Sequence, residues 1–248
     1  MSYSDFVNAC TTGRLEVAKQ LIQINPSINI YVNEDFVFRY TCYGNCLEVA
    51  KWLIESYPQI NVSACNDFAF RYTCIQGRLE VAKWLVEICP SVNVSAGNNQ
   101  AFRVACENGY FEIVQWLIES YPSVVNVSAH DNQAFRSACA YGYLEVAKWL
   151  IDTYPSDVNV SACDNFAFRK ACSKGHIVVA KWLVEIRPYH YMIELDPSQT
   201  QILSWKIRPI EEIRWLERAV PVLAYNSKTA NIFQKLNYDT MRYICEFV

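Results

Sequence analysis

Apolar residues recur along the chain at the spacing of helices, and the whole pattern repeats about every 33 residues. Each copy contains a short stretch, such as Ala101-Phe-Arg-Val-Ala-Cys, whose apolar residues share one helix face. A longer stretch follows, such as Phe111-Glu-Ile-Val-Gln-Trp-Leu, with a broad apolar stripe at the same spacing. The pattern predicts two amphipathic helices in each copy, which we name helix A and helix B.

Residues that commonly begin and end helices flank these stretches. Asn98 and Asn99 precede helix A and can supply a side-chain oxygen to the free N–H groups of its first turn. Gly109 follows it and accepts the left-handed conformation that closes a helix. The second copy has Asn45 there, the residue that tolerates this conformation next best. Pro122 stops helix B, and the β-prone sequence Asn-Val-Ser-Ala leads to the next copy.

The copies keep their marker residues in register. The arginine of helix A stands at Arg39, Arg71, Arg103, Arg136 and Arg169. The tryptophan of helix B stands at Trp52, Trp84, Trp116, Trp149 and Trp182. A fixed period in this range is typical of stacked arrays, in which each copy buries its apolar face against its neighbours. We expect six copies, the first with Gln20 in the tryptophan position because a terminal copy faces water on one side.

The copies resemble the ankyrin repeat. Ala101-Phe-Arg-Val-Ala-Cys-Glu-Asn-Gly-Tyr-Phe-Glu-Ile-Val stands where that family has Thr-Pro-Leu-His-x-Ala-Ala-x-x-Gly-His-Leu-Glu-Ile-Val. It departs at the start, where Ala-Phe-Arg replaces Pro-Leu-His. The resemblance implies an all-α ankyrin-repeat solenoid of six helix-turn-helix repeats over residues 1–188. The helix B sequence Leu-Glu-Val-Ala-Lys-Trp-Leu is similar to sequences in the ankyrin proteins of Mimivirus-like giant DNA viruses of amoebae.

The repeat pattern ends after Pro188. Two strand-like runs, His190-Tyr-Met-Ile-Glu-Leu and Gln201-Ile-Leu-Ser-Trp-Lys-Ile, flank a turn sequence that starts at Asp196. This arrangement predicts a β-hairpin, and helix patterns follow it to the end of the chain. We therefore expect residues 189–248 to form a small α/β C-terminal cap.

The last helix of that segment resembles the opening helix of an F-box. Phe233-Gln-Lys-Leu-Asn-Tyr-Asp-Thr-Met-Arg-Tyr-Ile-Cys-Glu-Phe-Val is similar to the shortened form found in many poxviral and giant-virus ankyrin proteins. It departs at Asn237, where the family usually has proline. The resemblance implies contact with a Skp1-like subunit of a ubiquitin ligase through four apolar residues. They are Leu236, Met241, Ile244 and Phe247. A helix that only caps the array explains the same spacing, and both interpretations stay open.

Charge and hydropathy narrow the classes of partner and location. The net charge of −3 gives no electrostatic reason to expect nucleic acid or an anionic membrane. The first residues, Met1-Ser-Tyr-Ser-Asp-Phe, do not have the basic and then apolar pattern of a secretory signal. No apolar run approaches the roughly 18 residues that a membrane-spanning helix needs. We expect a monomer in the cytoplasm, or in the host cell cytoplasm if the chain is viral.

The 11 cysteines do not predict a disulfide framework. Six of them occupy one position of helix A, namely Cys10, Cys42, Cys74, Cys106, Cys139 and Cys172. One thiol per copy on the same face cannot pair across the step of about 10 Å between neighbouring helices. They are interpreted as small buried apolar groups in a reducing, intracellular compartment.

Residues capable of catalysis or metal binding do not converge. The histidines are His130, His176 and His190, and no Cys-x-x-Cys pair or Gly-rich phosphate loop is present. His130 and Cys163 stand on adjacent loop tips and resemble a Cys/His pair, but an exposed tip offers no third orienting group and no pocket. We expect no enzyme activity, no cofactor and no metal site.

Two recurring residue types have both a structural and a functional interpretation. The arginines of helix A could hold phosphates, or each guanidinium could bind carbonyls or acids of the adjacent loop. The tryptophans of helix B could stack on nucleic acid bases, or they could belong to the core. Regular recurrence in an acidic protein favours structure for both.

Positions that differ between copies are the candidates for a binding surface, because the rest of the copy is held constant. The residue after the arginine is Tyr40, Tyr72, Val104, Ser137 or Lys170. Four residues after the arginine stand Tyr43, Ile75 and Glu107 in the second to fourth copies. The loop tips carry Asn66, Asn98, His130, Asp131 and Asp164. The ankyrin resemblance implies that these positions line a concave side on which partner proteins dock.

Tyr40 and Tyr72 are the proposed hot spot of that surface, as exposed tyrosines side by side. Random drift on a solvated surface is the alternative explanation of the same variation. The sequence thus predicts an interaction scaffold for a host or viral protein, as a viral adaptor to a host ubiquitin ligase. The alternative function is a structural or virion-associated protein.

Overall fold

The computed structural model describes residues 2–186 of the 248-residue chain. Within this range the chain forms twelve α-helices in six pairs and no β-strand, which confirms the predicted helix-turn-helix repeats. The predicted hairpin, the α/β cap and the F-box-like positions Leu236, Met241, Ile244 and Phe247 lie outside the described residues.

The odd-numbered helices are helix A of repeats 1 to 6, and the even-numbered helices are helix B. The first four pairs are α1 (Tyr3–Thr11), α2 (Leu15–Ile24), α3 (Val32–Tyr43), α4 (Leu47–Ser56), α5 (Ala64–Ile75), α6 (Leu79–Ile88), α7 (Ala96–Asn108) and α8 (Phe111–Ser120). The last two pairs are α9 (Ala129–Tyr141), α10 (Leu144–Thr153), α11 (Ala162–Lys174) and α12 (Ile177–Ile186). None of these helices is both long enough and apolar enough to cross a membrane.

The chain divides into two compact units. The first unit, Met1–Ala129, holds repeats 1 to 4, and its helices A lie side by side, α1 against α3, α3 against α5 and α5 against α7. The second unit begins at His130 and holds repeats 5 and 6, where α11 packs against α12.

The core of each repeat consists of a phenylalanine of helix A and the apolar stripe of helix B. In repeat 3 these residues are Phe70, Val81, Ala82 and Leu85, each at most 1% exposed. The helical spacing of the stripe places its residues on one side, where the neighbouring helices cover them. The predicted stripe is therefore confirmed.

The tryptophans lie at the edge of this core. Within each unit a tryptophan packs against the helix A phenylalanine of the preceding repeat, with ring centroids 6.3 Å apart for Phe38 and Trp84 and 6.4 Å apart for Phe70 and Trp116. Trp116 is half-buried, and Tyr121 covers it edge-on at 6.0 Å. The indole is larger than the leucine that it replaces in the family pattern, so part of the ring reaches the rim.

Helix A closes on a left-handed residue, as predicted. The backbone φ angle is 72° at Gly109 and 77° at Gly175. Asn45 takes the same conformation with φ of 62°. Asparagine is among the few residues that accept this conformation, so the single departure from glycine keeps the turn.

The connection from helix B to the next repeat is a turn, and the β-prone interpretation of Asn-Val-Ser-Ala is wrong. The Asn93 side-chain oxygen accepts a hydrogen bond from the backbone N–H of Ser95 at 3.0 Å. Asn61 and Ser63 make the same bond at 3.1 Å. An asparagine side chain that binds the backbone two residues ahead imitates a turn, and this local bond outweighs the strand preference of the valine.

The ten cysteines in the described part of the chain are all free. The six of helix A are buried, as predicted. Burial raises the pKa of the Cys10 thiol to about 12 and that of the Cys42 thiol above its usual range. Protonated thiols pack as small apolar groups, so these cysteines belong to the core.

Candidate functional site

Five aromatic side chains of repeats 2 and 3 are in contact along one side of α3 and α5. We name them the aromatic patch: Phe36, Tyr40, Tyr43, Phe68 and Tyr72. On α3 they stand at positions i, i+4 and i+7, and on α5 at i and i+4. These spacings place the residues of each helix on one face. Helix packing then brings the two faces together, because α3 lies beside α5.

Each helix contributes one stacked pair of rings. Phe36 and Tyr40 have centroids 4.2 Å apart and an angle of 28° between ring planes. Phe68 and Tyr72 have centroids 4.0 Å apart and an angle of 18°. Offset stacking of this kind contributes about 0.5–1.5 kcal/mol beyond the area that is buried. The rings are therefore held in place before any partner arrives.

Contacts between the repeats join the two pairs into one surface. The Tyr40 ring lies 5.3 Å from the Phe68 ring, and the Tyr43 ring lies 6.3 Å from the Tyr72 ring. Tyr40 and Tyr43 are 6.0 Å apart. The two tyrosines predicted to stand side by side are thus connected through Phe68 and Tyr43.

Exposure within the patch differs from the expectation. Tyr40 and Tyr72 are half-buried, whereas Tyr43 is 38% exposed. Sequence analysis did not single out Phe36 and Phe68. The signal that could have found them is their position four residues before a tyrosine on the same helix, the spacing at which side chains meet.

Polar residues border the patch along the first unit. The equivalent positions of repeat 1 are Ser4, Asn8 and Thr11. In repeat 3, half-buried Ile75 occupies the position of Tyr43. In repeat 4 the three positions carry Gln100, half-buried Val104 and half-buried Glu107. Within the first unit, the aromatic rings at these positions therefore lie in repeats 2 and 3, and the apolar residues Ile75 and Val104 continue beside them.

The same positions of the second unit carry one aromatic ring. They are Gln133, Ser137 and Ala140 in repeat 5, and Phe166, Lys170 and Ser173 in repeat 6. Ser137 is half-buried, and Lys170 is exposed. The Lys170 ammonium lies 5.6 Å from the centre of the Phe166 ring, within the range of a cation–π contact. The aromatic patch of the first unit has no counterpart among the described residues here.

The predicted loop-tip residues form left-handed turns. Three consecutive residues at the start of helices α3, α5, α7, α9 and α11 have positive φ, and the helix bounds given above include them. These tips are residues 33–35, 65–67, 97–99, 130–132 and 163–165. Asn66, Asn98, His130, Asp131 and Asp164 are exposed there. Each left-handed residue other than glycine costs roughly 1–2 kcal/mol, so other bonds must hold the tips.

The arginine of helix A supplies those bonds. Arg39 is 7% exposed and donates from Nε to the carbonyl of Glu34 at 2.8 Å and from Nη2 to the carbonyl of Asn33 at 2.7 Å. Arg136 binds the carbonyls of Asp131 and His130 at 2.8 and 2.9 Å. The fork of a guanidinium suits two adjacent carbonyls. This geometry confirms the structural interpretation of the arginines.

The guanidinium also rests on the following repeat of its unit. Arg39 lies 4.9 Å from the centre of the Phe68 ring, and Arg136 lies 5.0 Å from that of Phe166. Where the next repeat has Gln100 instead of phenylalanine, Arg71 donates to the side-chain oxygen of that glutamine. Arg39, Arg71 and Arg136 therefore each link their own tip to the following repeat of the same unit.

The expected capping of helix A by its asparagine and aspartate pairs is corrected by the structure. In two repeats the last residue of the tip binds the connection that leads to the next repeat: Asp35 accepts from the backbone N–H of Asn61, and Asn132 from that of Asn159, both at 3.0 Å. Asp35 and Asn132 are buried. Their side-chain oxygens therefore hold the connection after helix B and do not cap the start of helix A.

The tip cysteines Cys65 and Cys163 do not form a reactive site. Cys65 donates from Sγ to the Glu34 carboxylate at 2.7 Å, and this hydrogen bond raises the pKa of the thiol. Cys163 lies 3.9 Å from an Asp131 carboxylate oxygen, which is not a partner that would activate it. Among the described residues, no group of three His, Cys, Asp or Glu side chains could hold a metal ion.

Comparisons with known proteins agree with this architecture. The sequence matches family profiles described as ankyrin repeats in three copies over residues 38–131 and ankyrin repeats in many copies over residues 135–184. Together the two matches cover more than half of the chain. No curated protein sequence gives a match to this chain.

Solved structures share the fold at low sequence identity. The ankyrin repeat domain of human ASB11 is 16% identical, with a TM-score of 0.57, 93% of this chain and 96% of that chain covered. A chain in the complex of the Bdellovibrio bacteriovorus predatory endopeptidase Bd0816 with immunity protein Bd3460 is 18% identical, with a TM-score of 0.56. That match covers 73% of this chain and 97% of the other. At these identities the likeness concerns the fold alone.

Proposed function

The chain belongs to the ankyrin repeat family, and on that premise we propose that it is an interaction scaffold that binds a partner protein through the aromatic patch. Binding requires a surface that is apolar and ordered in advance, and the patch has both properties. The arginines and the tip carbonyls serve the fold, because they bind one another. The exposed tip side chains Asn66, Asn98, His130, Asp131 and Asp164 stay part of the proposed binding surface.

The observation that carries the proposal is the concentration of stacked aromatic rings in repeats 2 and 3. Tyrosine and other large aromatic residues dominate binding energy at protein interfaces, where they cluster near the centre and are surrounded by polar residues. The patch has aromatic rings at its centre, with Asn8 on one side and with Gln100 and Glu107 beside the apolar Val104 on the other. Structural need does not explain it, since the equivalent residues Ser4 and Val104 lie in repeats that fold in the same way.

Replacement of Tyr40 and Tyr72 together by alanine is expected to abolish capture of the partner. The double substitution removes one ring from each stacked pair and frees the other ring to move. Pull-downs from the cytosol of the cells that produce the protein would compare the intact chain with the Tyr40→Ala/Tyr72→Ala variant. We expect at least a tenfold loss of recovery, in line with the effect of hot-spot residues.

The matched control is Tyr143→Ala, because Tyr143 is 37% exposed and lies outside the patch. Circular dichroism should show that the variants keep their helices. Equal recovery of every partner by the intact chain and the double variant would refute the proposal.

A finer proposal concerns the ligase. The F-box-like sequence with Leu236, Met241, Ile244 and Phe247 supports a role as an adaptor that presents the captured protein to a ubiquitin ligase through a Skp1-like subunit. The similarity of helix B to giant-virus ankyrin proteins supports a viral source, with the protein acting as a monomer in the host cytoplasm.

Leu236→Asp is expected to abolish co-purification of a Skp1-like protein, because a charge cannot enter the apolar contact that the resemblance implies. Capture of the partner by the aromatic patch should not change. Undiminished co-purification of the Skp1-like protein would eliminate the adaptor role. High abundance in purified virus particles would instead support the structural alternative.

A further inference from the structure

The aromatic patch has a repeat distance that a particular peptide conformation matches. Helices that pack side by side lie about 10 Å apart, so the stacked pair on α3 and the pair on α5 recur at about that distance. A polyproline II helix advances by about 9 Å in each turn of three residues. Proline rings at positions i and i+3 of such a peptide would therefore meet successive stacked pairs.

The extent of the patch sets the length of the peptide. Two repeats span about 20 Å, which corresponds to about six residues of polyproline II. The run of aromatic rings ends at Asn8 on one side and at Gln100 on the other. A surface of this size suits a short extended segment.

The charges that touch the rings select against basic partners. Arg39 lies over the Phe68 ring at 4.9 Å, and Arg71 lies 5.7 Å from the centre of the Tyr72 ring. Carbonyls of the tips hold both guanidinium groups in place, so these cations cannot move away. An arginine or lysine of the partner next to the rings would meet like charge, whereas neutral or acidic residues would not.

The tyrosine hydroxyls complete the match. The backbone of a polyproline II helix has no internal hydrogen bonds, so its carbonyls need donors. Tyr40, Tyr43 and Tyr72 each carry an O–H that can donate. Aromatic grooves with donors at their edges are the usual sites for proline-rich segments, whose rigidity lowers the entropy lost on binding.

We infer that the aromatic patch binds a proline-rich segment of about six residues, in the polyproline II conformation, that has no basic residue over the rings. This inference rests on the proposed function, because it specifies the partner of the same surface. The two stacked pairs contact prolines one turn apart, and Tyr43 widens the surface beside Tyr40 and Tyr72.

Fluorescence anisotropy with the purified full chain tests the inference directly. The probes are fluorescein-labelled decaproline, a Gly-Ser peptide of equal length, decaproline interrupted by two arginines, and an amphipathic helical peptide. We expect saturable binding of decaproline and at least about tenfold weaker binding of the other three, or about 1.4 kcal/mol.

Tyr43→Ala is the variant of choice because Tyr43 is 38% exposed, so its loss leaves the fold in place. It should weaken decaproline binding about tenfold, and Tyr143→Ala should change it less than about twofold. Tighter binding of the helical or the arginine-containing peptide than of decaproline would overturn the inference. So would an equal effect of the two tyrosine substitutions, or no decaproline binding at millimolar concentration.

Competition separates this inference from the proposed function. Decaproline should displace the protein that the patch captures in the pull-down. If capture depends on Tyr40 and Tyr72 but decaproline neither binds nor competes, the scaffold function stands and the proline-rich segment is wrong. If decaproline binds the patch while capture is indifferent to Tyr40 and Tyr72, the inference stands and the captured protein is not the ligand of this surface.

Discussion

Replacement of Phe70 by alanine is expected to lower the free energy of unfolding by about 3–5 kcal/mol, the largest effect of any substitution considered. The Phe70 ring is 1% exposed and packs against Trp116 of the next repeat. Its removal leaves a cavity between two repeats that the helices on either side cannot fill by small shifts. Urea denaturation followed by circular dichroism measures the loss.

Phe68→Ala provides the control two residues away on the same helix. Phe68 is half-buried and belongs to the aromatic patch, so its removal forfeits less buried area together with its contacts to Tyr72 and Arg39. We expect a loss of about 1–2 kcal/mol. If both variants lost the same stability, the distinction between a buried and a solvent-facing side of α5 would be incorrect.

Replacement of Arg39 by alanine is expected to cost about 2–4 kcal/mol, because it removes two charge-assisted hydrogen bonds from carbonyls that are partly buried. Arg39→Lys should recover only part of this loss, since an ammonium group cannot bind two adjacent carbonyls as a planar fork does. The measurement is again the free energy of unfolding in urea.

Arg169 occupies the same position of repeat 6 but is exposed, with Nη2 donating to the carbonyl of Cys163 at 3.1 Å. Arg169→Ala should cost less than about 1 kcal/mol, because water can replace the guanidinium there. Equal losses at Arg39 and Arg169 would show that burial does not govern the strength of this bond. Complete rescue by Arg39→Lys would exclude the importance of its forked geometry.

Much of the fold was predictable because its determinants are local and periodic. The apolar stripe of helix B needs only the spacing of Val81, Ala82 and Leu85 to be recognised. Asn45 could be assigned a left-handed conformation because it replaces glycine in a repeated position. In a periodic sequence the same residue recurs at the same position of several repeats. This recurrence also predicted the structural role of the arginines.

Other features depended on contacts between repeats and escaped prediction. Phe68 and Phe70 stand two residues apart, and helical geometry places them on opposite sides of α5. Which side faces water is decided by the neighbouring helices, so Phe68 and Phe36 were not recognised as part of a surface. The three left-handed residues of each tip escaped prediction for another reason: an arginine five or six residues later in the same repeat holds them, and residues such as Cys65 do not by themselves favour this conformation.

The candidate site was predicted in outline. Tyr40, Tyr43 and Tyr72 were singled out because they vary between repeats, and they are in one cluster in the structure. Variation between repeats could not show which of the three tyrosines is most exposed, because their exposure depends on how they pack against Phe36 and Phe68. Their role in binding remains a proposal that the substitutions above test.

The arginine contacts have a consequence for how such chains can change length. Each guanidinium binds carbonyls of its own tip. Toward the following repeat it contacts either a phenylalanine ring, as at Phe68 and Phe166, or a glutamine side chain, as at Gln100. A duplicated or deleted module would therefore create a junction that already satisfies the same contact. Genetic gain or loss of whole modules should be tolerated, whereas an insertion of a few residues within one would separate the arginine from its carbonyls.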